Sequence, residues 1–179
     1  MNWILFAIAG SIAQLIDGAL GMGFGLTSST LLLTLGASAA VASAAVHAAE
    51  IGTTLASGAS HWHAENIDKD VLIRLAIPGG VGALLGATFL SSIDLSSSKI
   101  FISTLLLFLG FLLLYRNLFQ TPAPQAADPN NNPRFLTFLG FSGGFVDAAG
   151  GGGWGPVVTP TLMTTTNMTP RKIIGTVSA

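Results

Sequence analysis

Residues 147–160 read DAAGGGGWGPVVTP, a run of glycines within a strongly apolar sequence. Four consecutive glycines, Gly150 to Gly153, lose much backbone entropy on folding and add no side-chain contacts, so a helix ends there. Pro156 lacks an N–H, which is tolerated in the first turn of a helix, so a new helix begins close to it. The stretch therefore predicts a helix break. Its surroundings decide whether that break lies in water or in a membrane.

The composition is that of a membrane protein. Half of the residues are hydrophobic, 8% are charged and the mean hydropathy is +0.68, whereas a soluble domain carries about 25% charged residues. The net charge of −1 argues against a nucleic-acid partner, and the absence of Cys excludes disulfides and thiolate metal sites. No positive charge precedes the first apolar run, so no cleaved signal peptide is predicted. We expect an all-α polytopic protein of the cell membrane, with the lipid bilayer as a partner.

Three segments are long and apolar enough to cross a bilayer as helices, namely residues 39–59, 71–91 and 99–119. A polar loop at 61–70 separates the first two. Residues 120–134 are rich in Pro and Asn, which is typical of a linker without structure of its own.

A second glycine cluster lies near the N-terminus and aligns with the first at a constant offset of 130 positions. Asp17 matches Asp147, and Phe24 falls on Trp154. Gly21, Gly23 and Gly25 match Gly151, Gly153 and Gly155. The apolar residues before Asp17 are too few to cross a bilayer, so residues 3–36 are predicted to form a broken hairpin. Paired glycine-interrupted segments in two halves of a chain are typical of a transporter binding site.

The crossing count predicts that the two repeats are inverted. With a hairpin at 3–36, three spans separate the repeats, and six of the seven Lys and Arg residues fall on one side. That side is predicted to be cytoplasmic and the N-terminus outside. The predicted organisation is a first repeat at 1–119, a cytoplasmic linker at 120–134 and the start of a second, incomplete repeat at 135–179. A truncated chain and a half-transporter that pairs with another copy both explain the incomplete repeat.

Four segments carry a resemblance to a known family, and the resemblance covers essentially the whole chain apart from the linker at 120–134. They are LIDGALGMGFGLTSSTLLLTLG (15–36), HAAEIGTTLASGASHW (47–62), GGFVDAAGGGGWGPVVTPTLM (143–163) and MTPRKIIGTVSA (168–179). The sequence resembles the sulfite exporter (TauE/SafE) family. The resemblance implies a secondary transporter built of two membrane repeats, and no enzyme activity. Its substrate would be a small anion that contains sulfur, such as sulfite or an organosulfonate.

The glycine clusters have three interpretations. A dinucleotide-binding fingerprint needs a βαβ unit, which the sequence lacks. Close helix packing through small residues is the better interpretation for Gly82 and Gly86. For the two clusters we favour unwound backbone that leads into a half-helix, because free N–H groups and the positive helix end make an anion site without a cation. The predicted substrate pathway comprises Asp17, Gly21, Gly23, Gly25, Thr27, Ser28, Ser29, Asp147, Gly151, Gly153, Trp154, Gly155, Pro156 and Thr159.

Two carboxylates at membrane depth, Asp17 and Asp147, are candidates for a functional role. The alternative is that each caps the short helix after it, which a carboxylate does well, and both roles are compatible. Thr27 and the two serines after it either line a polar path or bond back to their own helix.

The histidines give weaker signals. His47 and Glu50 lie three residues apart on one face of a predicted helix, where the pair either carries a coupling proton or forms a hydrogen bond that fixes packing. His61 and His63 have a spacing that suits a metal, but the sequence shows no third ligand, so an interfacial loop is favoured. No metal or other cofactor is predicted.

Two other functional classes compete with a transporter. A structural membrane subunit, or an inactive partial chain, needs no polar groups at the membrane midplane, yet this sequence repeats them. An intramembrane hydrolase would rest on Ser60 beside His61, and neighbours in sequence rarely point at each other.

The predicted topology can be tested with single cysteines at Glu65 and Asn131, because the chain has no Cys of its own. Both loops are expected on the cytoplasmic side. A maleimide that cannot cross membranes should therefore label neither site in intact cells and both sites after permeabilisation. Labelling of both sites in intact cells would rule out the inverted arrangement.

Overall fold

The computed structural model describes residues 3–20, 23–119 and 132–179, and all regular structure within them is helical. In these residues the helices are α1 (Trp3–Leu20), α2 (Phe24–Thr34), α3 (Ala39–His63), α4 (Lys69–Ser92), α5 (Leu95–Phe119), α6 (Pro133–Gly150), α7 (Trp154–Thr165) and α8 (Pro170–Val177). The predicted all-α fold is confirmed. Most of the predicted linker, residues 120–131, lies outside the described residues.

Short polar side chains fix where several helices begin. The hydroxyl of Ser38 accepts a hydrogen bond from the Val41 amide at the start of α3, and Asp68 caps α4 in the same way. Asn132 and Thr169 cap α6 and α8, each with a proline at the first helical position. Such caps are worth about 1 kcal/mol each, because they satisfy N–H groups that have no partner inside the helix.

Three of the helical segments are long and apolar enough to cross a membrane, namely Ala39–His63, Lys69–Ser92 and Ser97–Tyr115. They contain most of each predicted span. On α5, large apolar side chains such as Leu107 and Phe111 point outward, with 75% and 65% of their surface exposed. An outward apolar face of this kind suits lipid, because hydrocarbon tails are as apolar as these side chains.

Helices α4 and α6 form the most extensive helix pair of the described residues, and glycines make their close approach possible. A Cβ at Gly82 would collide with the Phe141 carbonyl, and one at Gly86 would collide with the Phe145 carbonyl. From the opposite side, a Cβ at Gly144 would strike the carbonyl of Gly79. The prediction that Gly82 and Gly86 serve close helix packing is therefore confirmed.

An apolar core joins α4 and α6 to α7 and α8. It consists of buried side chains from all four helices, namely Val71, Leu75, Leu136, Leu139, Val158, Leu162, Ile173 and Val177. The core holds α7 and α8 against the α4–α6 pair. The backbone between α6 and α7 is therefore held in place by the close contact of α6 with α4 before it and by this core after it.

Gly82→Ala should destabilise the protein, because the new Cβ meets backbone that cannot move aside. The expected loss is about 1–3 kcal/mol in the free energy of unfolding, measured by denaturant unfolding of the purified protein in detergent. Gly80→Ala is the matched control, since it lies on the same helix and its added Cβ has no neighbour within 4 Å. Equal stability of the two variants would contradict the close α4–α6 contact.

Candidate functional site

The chain contains two interrupted helices, one at each glycine cluster. α1 ends at Leu20 and α2 begins at Phe24, while α6 ends at Gly150 and α7 begins at Trp154. Gly23 has a φ of 117°, and Gly151 and Gly152 have φ values of 73° and 157°. Such angles favour glycine, which has no Cβ to clash with the backbone. The predicted helix breaks are confirmed, although Gly21 lies outside the described residues.

An aspartate caps the second helix at each break. The Asp17 carboxylate accepts a hydrogen bond from the Phe24 amide at 3.0 Å. The Oδ1 atom of Asp147 accepts from the Gly153 amide at 2.7 Å and from the Trp154 amide at 2.9 Å. Both carboxylates thus satisfy amides at the start of the following helix, which was one of their two predicted roles. The same oxygens lie beside the positive N-terminal ends of α2 and α7.

Hydroxyl groups from neighbouring helices satisfy the carbonyls at the end of α6. Ser29 on α2 donates to the Gly151 carbonyl, and Ser43 on α3 donates to the Ala148 carbonyl at 3.4 Å. The two breaks also touch directly, since a Cβ at Gly152 would collide with the backbone of Gly25 and Leu26. The start of α2 therefore crosses the break between α6 and α7, backbone against backbone.

A cavity of about 620 Å³ opens beside this crossing. Eight residues of the predicted substrate pathway line it, namely Asp17, Gly23, Gly25, Asp147, Trp154, Gly155, Pro156 and Thr159. Its described lining contains carboxylates but no Lys or Arg. Both helix breaks therefore face a single space.

Five other residues of the predicted pathway are not among the described residues of the cavity lining, namely Gly151, Gly153, Thr27, Ser28 and Ser29. The hydroxyl of Thr27 bonds back to the Gly23 carbonyl at 2.9 Å. Ser28 is buried, and its hydroxyl has no hydrogen-bond partner among the described residues. A Cβ at Gly153 would lie 2.5 Å from the Val146 side chain. The packing of α6 therefore requires glycine at position 153.

Trp154 is a wall of the cavity and ties α7 to its neighbours. Its indole N–H donates to the Val177 carbonyl at 3.0 Å. The ring packs so closely on α4 that a Cβ at Gly79 would lie 2.9 Å from it. The side chain is therefore held from two sides, and it cannot turn without breaking this hydrogen bond.

Sequence reasoning missed much of the cavity wall. α3 contributes Thr53, Thr54 and Ser57, and the end of α8 contributes Thr176 among others. The hydroxyls on α3 share one helical face, a spacing that the sequence displays and that could have indicated a polar path. Nothing in the sequence places α8 there, since that depends on how the helices pack.

Asp147 joins the predicted pair of His47 and Glu50. Ligand atoms of the three side chains lie within 4.8 Å of one another. The Nδ1 atom of His47 is 2.7 Å from the Ser43 carbonyl, and its Nε2 atom is 3.4 Å from Asp147 Oδ2. His61 and His63 are not part of this group: His61 lines the cavity and contacts the Asn66 side chain, and His63 is exposed.

Comparison with known proteins places the chain in a family. Residues 6–179 match the model of the family described as Sulfite exporter TauE/SafE. The chain belongs to the TauE/SafE family. It is 50% identical over 175 residues to the "Probable membrane transporter protein YtnM" of Bacillus subtilis (strain 168), a match that covers 97% of this chain and 58% of that protein. The chain thus spans somewhat more than half the length of this relative. No solved structure matches it.

The resemblance inferred from the sequence is therefore confirmed, and this TauE/SafE chain is an all-helical membrane protein.

Asp147→Ala should loosen the start of α7, because the amides of Gly153 and Trp154 lose their acceptor. Loss of a cap costs about 1 kcal/mol, so the exchange of these amides should become about fivefold faster. Hydrogen–deuterium exchange with mass spectrometry measures this on peptides that cover the break. Asp147→Asn keeps an oxygen acceptor and should exchange nearly as the parent does. If the Ala variant exchanges at the parent rate, the cap does not hold the break.

Proposed function

We propose that this chain is part of a secondary transporter that moves a small sulfur-containing anion, such as sulfite or an organosulfonate, across the cell membrane. The observation that carries this proposal is the meeting of two helix breaks at one cavity. Broken helices that face each other at membrane depth are the usual setting of a substrate site in secondary transporters. Membership of the TauE/SafE family and the transporter name of the Bacillus subtilis relative support it.

The size and the polarity of the cavity suit a small solute. A volume of about 620 Å³ lies within the usual range of small-molecule sites, and a sulfite ion with part of its hydration shell fits inside it. Hydroxyl groups on the wall include those of Thr54 and Ser57 on α3 and Thr159 on α7. Hydroxyls donate hydrogen bonds to sulfur oxyanions without adding charge.

We infer that recognition uses backbone and hydroxyl donors in place of a Lys or Arg side chain. Among the described residues, no Lys or Arg lines the cavity. The N-terminal ends of α2 and α7 both face it and bring partial positive charge. Asp17 and Asp147 already accept some of these amides, so an anion competes with them or uses the donors that they leave. Gly155 and Pro156, in the first turn of α7, lie on the cavity wall.

The proposed substrate pathway combines the predicted residues that line the cavity with the hydroxyls on α3. Thr27, Ser28, Ser29, Gly151 and Gly153 support this pathway by shaping the two breaks. The hypothesis that His47 and Glu50 carry a coupling proton stays a prediction.

We also propose that the two breaks belong to inverted repeats, with the N-terminus outside and residues 120–134 in the cytoplasm. The matching caps support this proposal. Asp17 bonds the amide of Phe24, and Asp147 bonds that of Trp154, so the offset of 130 positions that aligns the sequences also aligns these hydrogen bonds. The segment 135–179 then begins the second repeat.

A transporter fits the structure better than either alternative. A hydrolase would need Ser60 and His61 to face each other, but adjacent residues on α3 project in directions about 100° apart. A subunit that only supports packing would not need two polar helix breaks beside a cavity, where backbone groups must be satisfied one by one.

Flux of radiolabelled sulfite and of an organosulfonate into proteoliposomes tests this proposal. Saturable uptake of at least one anion is expected from the purified chain. Thr54→Val should raise the KM about fivefold, because one hydroxyl donor is worth about 1 kcal/mol. Thr88→Val on α4 is the control, since this hydroxyl is exposed, bonds back to Leu84 and does not line the cavity.

Removal of a positive charge, by Lys99→Gln or Arg134→Gln, should leave the KM unchanged. Absence of uptake for both anions would contradict the proposed substrate class. Equal effects of the Thr54 and Thr88 variants would contradict the proposed location of the site.

A further inference from the structure

We propose that His47, Glu50 and Asp147 form a binding site for a divalent transition-metal cation such as Zn²⁺. The three side chains come from two helices, since His47 and Glu50 lie on α3 and Asp147 lies in the last turn of α6. One ligand atom from each lies within 4.8 Å of the other two. An imidazole with two carboxylates is a ligand set that zinc and its neighbours in the first transition row accept.

The hydrogen bond at the far side of His47 fixes which ring nitrogen can bind a metal. Nδ1 lies 2.7 Å from the Ser43 carbonyl, which can only accept, so Nδ1 carries the proton. Metal-binding histidines are usually oriented in this way, with the second nitrogen donating to a carbonyl or a carboxylate. Nε2 is then left to offer its lone pair to an ion.

Nε2 points at Asp147 without making a hydrogen bond. The atom is buried and has no hydrogen-bond partner among the described residues, yet Asp147 Oδ2 lies 3.4 Å away. At this distance the two groups form an ion pair when Nε2 carries a proton, and a metal ion that replaces this proton would supply the same positive charge. A charge-assisted hydrogen bond would bring the atoms to about 2.7–2.9 Å.

The observed separation is also compatible with a tetrahedral metal ion. Zinc binds imidazole nitrogen and carboxylate oxygen at about 2.0–2.2 Å, which places neighbouring ligand atoms of a tetrahedron about 3.4 Å apart. The pair from His47 and Asp147 already has this spacing. Glu50 offers a carboxylate oxygen within 4.8 Å of both other ligand atoms.

The fourth position of the ion would face the cavity, because both Glu50 and Asp147 line it. Oδ1 of Asp147 is already used by the amides of Gly153 and Trp154, so Oδ2 is the oxygen that serves the metal. An ion here would also supply the positive charge that the described lining lacks for an anion. That consequence rests on the proposed function, whereas metal binding itself does not.

Calorimetric titration of the purified chain with Zn²⁺ in detergent, without any anion substrate, tests the site. One ion per chain is expected, and His47→Gln or Glu50→Gln should weaken the Kd at least tenfold, about 1.4 kcal/mol. Zn²⁺ should also raise the Tm of the parent, and raise that of these variants much less, because an ion that binds only the folded state stabilises it.

Matched controls are His63→Gln and Glu65→Gln. They remove an exposed imidazole and an exposed carboxylate at the C-terminal end of α3, away from the proposed site. Both should bind Zn²⁺ as the parent does. The proposal is overturned if the parent shows no saturable binding, or if the His63 or Glu65 control loses as much affinity as the His47 and Glu50 variants. Retained Zn²⁺ binding without anion flux would contradict only the proposed transport function.

Discussion

Backbone groups freed at a helix break inside a membrane must find partners within the protein, and this requirement organises the centre of the structure. Lipid hydrocarbon offers no partner for them, and each buried group left unsatisfied costs several kcal/mol. The amides after the second break bond to Asp147, and the carbonyls before it accept from Ser29 and Ser43. α2 and α3 therefore have to lie against the end of α6. The positions of α2 and α3 thus follow from one interruption.

Glycine residues make possible both the helix break after α6 and the close contact between α4 and α6. On α4 and α6 the glycines bring two backbones together and leave little room for movement. At the break, Gly151 and Gly152 adopt angles that favour glycine and let α2 cross directly over them. α6 is thus tightly packed against α4 along its length and ends at the helix break. The cavity lies where the tightly packed part of α6 ends and the helix break begins.

The sequence predicts most of the local structure, but few of the contacts between residues that lie far apart in the chain. Aspartate followed by a run of glycines predicts a break and a capped half-helix, and both occur at position 147. Spacing on one helix also indicates that His47 and Glu50 share a face. The partner of His47 is Asp147, far along the chain, and no local pattern names it. The same is true of the bond from Trp154 to Val177, which depends on how the helices pack.

Substrate protection of a cysteine in the cavity wall tests the central claim most directly, namely that both helix breaks open onto one anion-binding cavity. In this Cys-free chain, Thr54→Cys places a thiol on that wall and Thr88→Cys places one outside it. The modification rate of each is measured in membranes with a small thiol reagent, with and without an organosulfonate. The anion is expected to slow modification at position 54 and to leave that at position 88 unchanged. Equal rates with and without the anion at position 54 would contradict it.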